Sequence, residues 1–386
     1  MQLRVLMVCK ALPQSYKGGI QTHVWELSEA LGRLGVAVHI LTSGGLLRGE
    51  RHRDIGGRHL IYLPTLPGHR LPLLSNTLSE LSFNLQVNRW LRAHQHAYDV
   101  IHLQGRSGIL WPVQHPEAAH RCVATVHGLA QEEGAFRRDS LDARLHTRLS
   151  GRAERQALAR VGQVIAVSED QRRRIARHTG LDPAAIGVIS NGVWADEAVP
   201  HTARTSQIAF VGRIEPVKGV DLLPPMLADL PADLRLVMIG SGQRHRLEGA
   251  FRAWGVADRV VWTGDLDHDA VLAWLAAVRA LVLPSRYEPQ GRVVLEAMSQ
   301  GCPVVASDTG GIPEMMRHGV EGLLVPPGDA TLLASAVRRL AEHPEMAAAM
   351  GRRGVQRATD LYDWRHIARQ TLAVYERVSR PQAIAV

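Results

Sequence analysis

Ala280-Leu-Val-Leu-Pro-Ser-Arg-Tyr-Glu-Pro-Gln-Gly-Arg-Val-Val-Leu-Glu-Ala-Met-Ser-Gln-Gly-Cys-Pro-Val-Val-Ala-Ser307 changes its physical character three times. The apolar run Ala280–Leu283 is stopped by Pro-Ser and reads as a buried strand closed by turn chemistry. Pro289-Gln-Gly291 sets a second turn. A helix then runs through Ala297-Met298 and ends near Gly301. Pro303-Val-Val-Ala-Ser307 is another buried strand, and Gly310-Gly311 opens the next turn. Strand, loop, helix, strand is a βαβ unit, and ligands in such sheets gather at the carboxyl ends of the strands.

Two carboxylates in this stretch stand eight positions apart. Glu288 precedes the helix mouth. Glu296 lies more than one turn inside, at about 3.6 residues per turn. The free N–H groups of a helix mouth attract phosphate. One carboxylate could therefore touch a sugar while the other grips a ribose, with a diphosphate between them. The competing reading is a plain helix start with two solvated glutamates.

The same alternation extends outward in both directions. Strands are expected at Val5–Val8, Val36–Leu41, His59–Leu63, Val100–Leu103, Cys122–Val126, Val164–Val167 and Ile186–Ile189, with an amphipathic helix over Ile20–Leu34. A second series follows at Ile208–Val211, Leu234–Ile239, Val260–Trp262, Ala280–Leu283, Val304–Ala306 and Leu323–Val325. The joint falls after Ser190-Asn-Gly-Val193, where turn residues break the pattern. A terminal helix over 363–378 is expected after an Arg-rich connector. The fold class is α/β: two Rossmann-like domains, 1–193 and 194–362.

Composition narrows the function classes. A chain of 386 residues exceeds one ordinary core, and 46% hydrophobic residues is a globular share. No apolar run is long enough to span a bilayer. The N-terminus reads as a core strand rather than a signal peptide, because its apolar part is short and lacks a cleavage site. Cys9, Cys122 and Cys302 show no pairing pattern and fit buried thiols in a reducing cytoplasm. The basic charge is uneven: 24 Lys and Arg against 15 Asp and Glu over residues 1–195, but 21 against 22 over 196–386. With 5% aromatic residues and no reading motif, nucleic acid is not expected as a partner. An anionic acceptor or peripheral contact with an anionic membrane fits the basic half, as does a merely arginine-rich surface. Only three lysines occur, Lys10, Lys17 and Lys218.

Glu288 through Glu296 resembles the E-x7-E signature of the retaining GT-B glycosyltransferases, in particular glycosyltransferase family 4. Gly301-Cys-Pro-Val-Val-Ala-Ser307, Gly310-Gly-Ile-Pro-Glu314 and Gly319-Val-Glu-Gly-Leu-Leu-Val-Pro-Pro327 match that family's usual continuation. The match is specific over 281–329 and looser over nearly the whole chain. The resemblance implies two facing domains with a cleft between them, and a terminal helix that crosses back to the first. It implies a cytoplasmic hexosyltransferase that works without a metal or cofactor, in cell-envelope or other glycoconjugate synthesis. A nucleoside-diphosphate sugar is the donor, and a hydroxyl the acceptor, on a glycan, lipid-linked or small molecule.

The remaining chemistry-bearing residues are read against that resemblance. Phe210-Val-Gly-Arg-Ile-Glu-Pro-Val-Lys-Gly219 puts Arg213 and Lys218 at a strand's carboxyl end, where a forked donor and a point charge suit a diphosphate. The family's Arg and Lys hold the donor there, with Gly291 at the helix mouth. Gly19 is implied as the contact over the donor phosphate, with Lys17 beside it, although Gly18-Gly19 also fits a plain turn. Thr125-Val-His-Gly128 makes His127 the implied contact to the donor sugar, against the commoner case of a structural histidine. His102 is a weaker candidate of the same kind. Asp265-Leu-Asp-His-Asp269 resembles a metal-binding Asp-x-Asp, but Asp269 suits a helix cap better. Gln290 and Arg292 depart from the family, where an aromatic and an aliphatic residue are usual. They leave donor identity open, since an added cation suits an anionic sugar or acceptor, or simply solvent. Residues 65–97 suit either an amphipathic surface element or a helix packed on its own core. A sugar-nucleotide epimerase, a phosphorylase and a non-catalytic sugar or polyanion binder are the alternative functions.

Overall fold

The structure, a computed structural model, describes residues 2–16, 18–45, 49–66, 75–135, 141–195 and 204–379. The chain divides into two units. One runs to Ser190 and includes the segment beginning at Trp364; the other is Asn191–Asp363. The joint expected after Val193 lies at the start of the second unit.

Eight strands form the first unit's sheet: β1 (Arg4–Val8), β2 (Ala37–Ser43), β3 (Arg51–Ile55), β4 (Arg58–Leu63), β5 (Val100–Gln104), β6 (Cys122–Val126), β7 (Gln163–Ala166) and β8 (Ile186–Val188). Their order is β3-β4-β2-β1-β5-β6-β7-β8. Every pairing is parallel except β3 with β4. Parallel strands are covered on both faces, so β5 and β6 are buried at every position. The β3 strand was not expected from sequence. It reads Arg-His-Arg-Asp-Ile, lies at an edge with its three middle residues exposed, and has no apolar alternation to betray it.

Helices cover this sheet. The Gly19–Arg33 helix packs His23, Val24, Leu27 and Leu31 inward. The Ser75–His94 helix buries Phe83, Val87, Trp90 and Leu91, while Leu81 and Leu85 remain exposed. Of the two readings of residues 65–97, this burial supports the packed helix; Leu71–Leu74 lies outside the described residues. The terminal helix, Trp364–Ser379, belongs to this unit: fully buried Trp364 donates from Nε1 to Glu26 Oε2 at 2.7 Å.

Six strands build the second sheet: β9 (Gln207–Val211), β10 (Arg235–Ile239), β11 (Val260–Gly264), β12 (Ala280–Leu283), β13 (Val304–Ser307) and β14 (Gly322–Val325). The order β11-β10-β9-β12-β13-β14 is all parallel. Renumbered within the unit it is 3-2-1-4-5-6, the Rossmann order, whose switch point falls between β9 and β12. Two local expectations need correction. The supposed Arg-rich connector is a helix, Pro344–Tyr362; Arg352 and Arg353 are exposed, half-buried Arg357 donates to the Met315 and Glu314 carbonyls at 2.6 and 3.0 Å, and Ala347, Met350, Gly351, Gly354, Ala358 and Tyr362 pack inward. The helix after Asp265 begins at His268, and Asp267 rather than Asp269 caps it, accepting from Ala270 N at 3.0 Å. Asp269 sits in the first turn, where its charge faces the positive end of the helix dipole.

Cys9, Cys122 and Cys302 are free and buried. Burial pushes the first two thiols up to about 12 and Cys302 to about 11, which makes all three poor nucleophiles. No described helix is long and apolar enough to cross a membrane.

Candidate functional site

The switch point of the second sheet gathers most of the residues expected to act. The loop after β9 carries Arg213 and Lys218, and the loop after β12 carries Glu288 and Gly291. Two glycines make their close approach possible. Gly219 has φ +64°, and a Cβ there would lie 1.9 Å from the Pro284 carbonyl oxygen. Gly310, after β13, has φ +57°, and its Cβ would lie 1.9 Å from the Glu288 carbonyl oxygen. That carbonyl also accepts from Gly311 N at 3.0 Å, so the third loop clamps the second.

Arg286 stitches the first two loops together. Its backbone N–H donates to Val217 O at 2.8 Å, and its guanidinium grips Asp221 through two bonds of 2.6 and 2.7 Å. The same side chain donates to Pro216 O at 2.7 Å. The Arg286 hydrogen bonds hold the Asp221 carboxyl below its ordinary value. This pair was missed in the sequence. Arg286 lies inside the decisive stretch, but nothing local marks Asp221, which is 65 positions away.

Lys218 and Glu288 consequently meet. Lys218 Nζ contacts Glu288 Oε2, and Ser285 Oγ donates to the same oxygen at 3.3 Å. Both charged side chains are mostly buried, at 18% and 11% exposure. Arg213 is looser. It is 42% exposed and pairs with Glu215 at 2.9 Å. Gly291 caps the Arg292–Ser299 helix in the left-handed region at φ +87°. Glu296, one turn into that helix, sits 2.9 Å from Arg292 Nε and 3.8 Å from His268 Nδ1.

The two departures from the family pattern acquire a structural account. Arg292 does not point to solvent. It is buried, and its charge is taken up by Glu296, one helical turn away. Gln290 is buried too, and its Oε1 accepts from the Asn191 backbone N–H at 2.9 Å and from the Asn191 side chain. It anchors the helix mouth to the first residue of its unit.

In the first unit, His127 follows β6 and donates from Nε2 to Gln104 Oε1 at 2.9 Å. Burial pushes its imidazole down to about 3, so it is neutral near pH 7. Beneath it, fully buried His102 bonds Tyr375 Oη at 2.6 Å and Thr125 Oγ1 at 2.7 Å, and Gln104 Nε2 lies 3.2 Å from its Nε2. Burial, then the neighbouring His127, lowers His102 to about 3 as well. His102 is thus part of the packing that holds Gln104 and His127. The weaker candidacy it had as a ligand contact gives way to this role. Gly19 opens its helix, and a Cβ there would meet no atom within 4 Å, so the fold itself does not demand glycine at that position. Lys17 lies outside the described residues. Among the described residues no group of three His, Cys, Asp or Glu could hold a metal ion.

Known families and proteins match the chain over nearly its whole length. Residues 17–197 match the family model described as Glycosyltransferase Family 4, and residues 205–343 match Glycosyl transferases group 1. The alpha-maltose-1-phosphate synthase of Mycobacterium tuberculosis is 31% identical, over 97% of this chain and all of its own. Among solved structures, sucrose-phosphate synthase from Thermosynechococcus elongatus superposes with a TM-score of 0.83 at 24% identity, covering 98% of this chain and 99% of its own. Anabaena HepE in complex with UDP-glucose gives 0.77 at 20% identity, covering 97% and 100%.

Proposed function

The chain belongs to glycosyltransferase family 4, the group 1 glycosyl transferases, and from that premise we propose that it moves a hexosyl group from a nucleoside-diphosphate sugar to an acceptor hydroxyl with retention of configuration. The observation that carries this reading is the Lys218–Glu288 contact at the switch point, beside a helix mouth opened by left-handed Gly291.

In this reading Arg213, Lys218 and the helix mouth neutralise the donor diphosphate. Charge grows on that group as it departs, so fixed donors aimed at it lower the barrier. Lys218 is held ready by Glu288, and Arg213, more exposed, swings from Glu215 to the diphosphate. Arg292 engages one oxygen of Glu296 and leaves the other for the ribose hydroxyls. Glu288 orients the sugar. His127 offers a neutral imidazole for a sugar hydroxyl, fixed in one tautomer by Gln104. The bond from the anomeric carbon to phosphate breaks and the bond to the acceptor oxygen forms. The acceptor proton leaves with the phosphate. No metal or cofactor is assigned a part. We place the reaction in a reducing compartment such as the cytoplasm, which the three unpaired thiols fit.

The relatives' names support a hexosyl donor of this class: UDP-glucose is bound to the Anabaena protein. The family's cell-envelope and glycoconjugate roles are carried over as part of this proposal. The test is transfer from a panel of nucleoside-diphosphate sugars, with donor binding read as a rise in thermal stability. Glu288→Gln and Arg213→Ala are expected to cut kcat/KM by roughly 10²-fold or more, the usual scale for lost transition-state donors. Wild-type rates in both variants would overturn the assignment.

A further inference from the structure

Arg292 stands where its own helix gives it least reason to be. It is the first residue of the Arg292–Ser299 helix, just past left-handed Gly291. A cation in the first turn faces the positive end of the helix dipole. An arginine four positions before a glutamate is also the weaker order for a pair on one helix. Arg292 is nevertheless buried, with Nε 2.9 Å from Glu296 Oε1 and the two side chains 7% and 11% exposed. Burial, not helix energetics, gives this pair its strength, because two charges attract more strongly away from water.

A second element closes on the same oxygen. His268 opens the His268–Ala277 helix that follows β11, and its Nδ1 lies 3.8 Å from Glu296 Oε1. Asp267 fixes that helix start by accepting from Ala270 N at 3.0 Å. Both contacts therefore fall on Oε1, and Oε2 is the oxygen that remains for a ligand.

This matters for a ribose, which presents two neighbouring hydroxyls, 2′ and 3′. An ionised carboxylate serves both fully only by giving one oxygen to each. A neutral hydroxyl does not displace Arg292, since breaking a buried ion pair costs more than one hydrogen bond to a carboxylate returns. Oε1 stays with the guanidinium, and a single hydroxyl is served by Oε2. An aliphatic residue in place of Arg292, which is usual in the family, would leave Oε1 without its cation.

We propose that the donor site reads the nucleoside through one ribose hydroxyl instead of two, and so admits monodeoxyribonucleoside-diphosphate sugars beside the ribo forms, with Arg292 as the residue that sets this specificity. This assignment rests on the transferase reading and deepens it by naming the donor's nucleoside class. Arg292 acts through Glu296 and is a positioning residue.

The test is calorimetric titration of the full chain with UDP, ADP and GDP, each against its 2′-deoxy and 3′-deoxy forms. For the base that binds, one deoxy form is expected within about 3-fold of its ribo parent and the other roughly 10- to 100-fold weaker, the range of one hydrogen bond to a charged group. A tolerated 2′-deoxy form assigns Oε2 to the 3′ hydroxyl; a tolerated 3′-deoxy form assigns it to the 2′ hydroxyl. Arg292→Leu frees Oε1, so both deoxy forms are expected to weaken by that larger factor. Arg292→Lys keeps a cation there and restores the single loss, which a merely structural role would not do. Comparable losses for both deoxy forms of the wild type, or no loss for either, overturn the proposal, and so does a pattern that Arg292→Leu leaves unchanged. If Arg292→Leu does not fold, the wild-type pattern decides alone. Binding with losses at both positions sinks this inference and leaves the transferase standing. No binding of any diphosphate sinks the donor assignment and takes this inference with it.

Discussion

Gly310→Ala separates the geometry of the switch point from mere stability. An alanine Cβ at this position would stand 1.9 Å from the Glu288 carbonyl oxygen and 2.8 Å from its carbon, whereas real Cβ atoms essentially never come within 3.0 Å. The two loops must therefore part by about 1 Å, and Glu288 moves with its own backbone. Alanine at φ +57° adds a left-handed cost of about 1–2 kcal/mol. Misplacement of an aligning group by about 1 Å is enough to lose ~10²-fold in rate. Gly319→Ala is the matched control. Its φ is +78°, but a Cβ there meets nothing within 4 Å, so it carries the backbone cost alone. Both variants are expected to melt below wild type, Gly310→Ala further. Only Gly310→Ala is expected to lose kcat/KM in a donor-transfer assay. Full activity in Gly310→Ala would show that the loop contact does not position Glu288, and the argument from loop geometry would fall.

Three further outcomes follow from the same structure. Lys218→Met strands the Glu288 carboxylate with Ser285 as its remaining partner, and breaking a buried pair of this kind costs about 3–5 kcal/mol; adding Glu288→Gln should recover much of it in urea unfolding, while transfer stays lost in both. His102 and His127 are held near 3, far below the 6.5 of a free histidine, so the unfolded chain binds more protons between those values. Stability from these residues is complete above about pH 6.5 and drains as pH falls toward 3, by up to ~1.4 kcal/mol per pH unit per group; a thermal midpoint that is flat from pH 7 to 5, in a protein that still folds, would contradict their neutrality. Trp364→Ala removes a fully buried indole and its bond to Glu26, for an expected loss of about 3–5 kcal/mol in the first unit, and protease sensitivity of residues 1–190 is the readout.

The sequence by itself carried the architecture. Parallel strands buried on both faces are written as continuous apolar runs, so β6 and β12 were located to the residue and most others within one or two. The edge strand β3 escaped because its exposed face leaves no apolar signal, and the Pro344–Tyr362 helix because alanine and glycine make up most of its buried face. The site was half legible. Gly291, Glu288 and Glu296 share one short stretch, and Lys218 stood out by rarity; their roles in catalysis remain the proposal tested above. What only the tertiary structure decided were the pairings across the chain: Asp221 with Arg286, Asn191 with Gln290, Asn84 with Arg106, His102 with Tyr375. Periodicity reports which way a side chain faces, because that depends on neighbours along the helix or strand. It cannot report which distant side chain satisfies a buried polar atom, because that partner is chosen by strand order and loop closure.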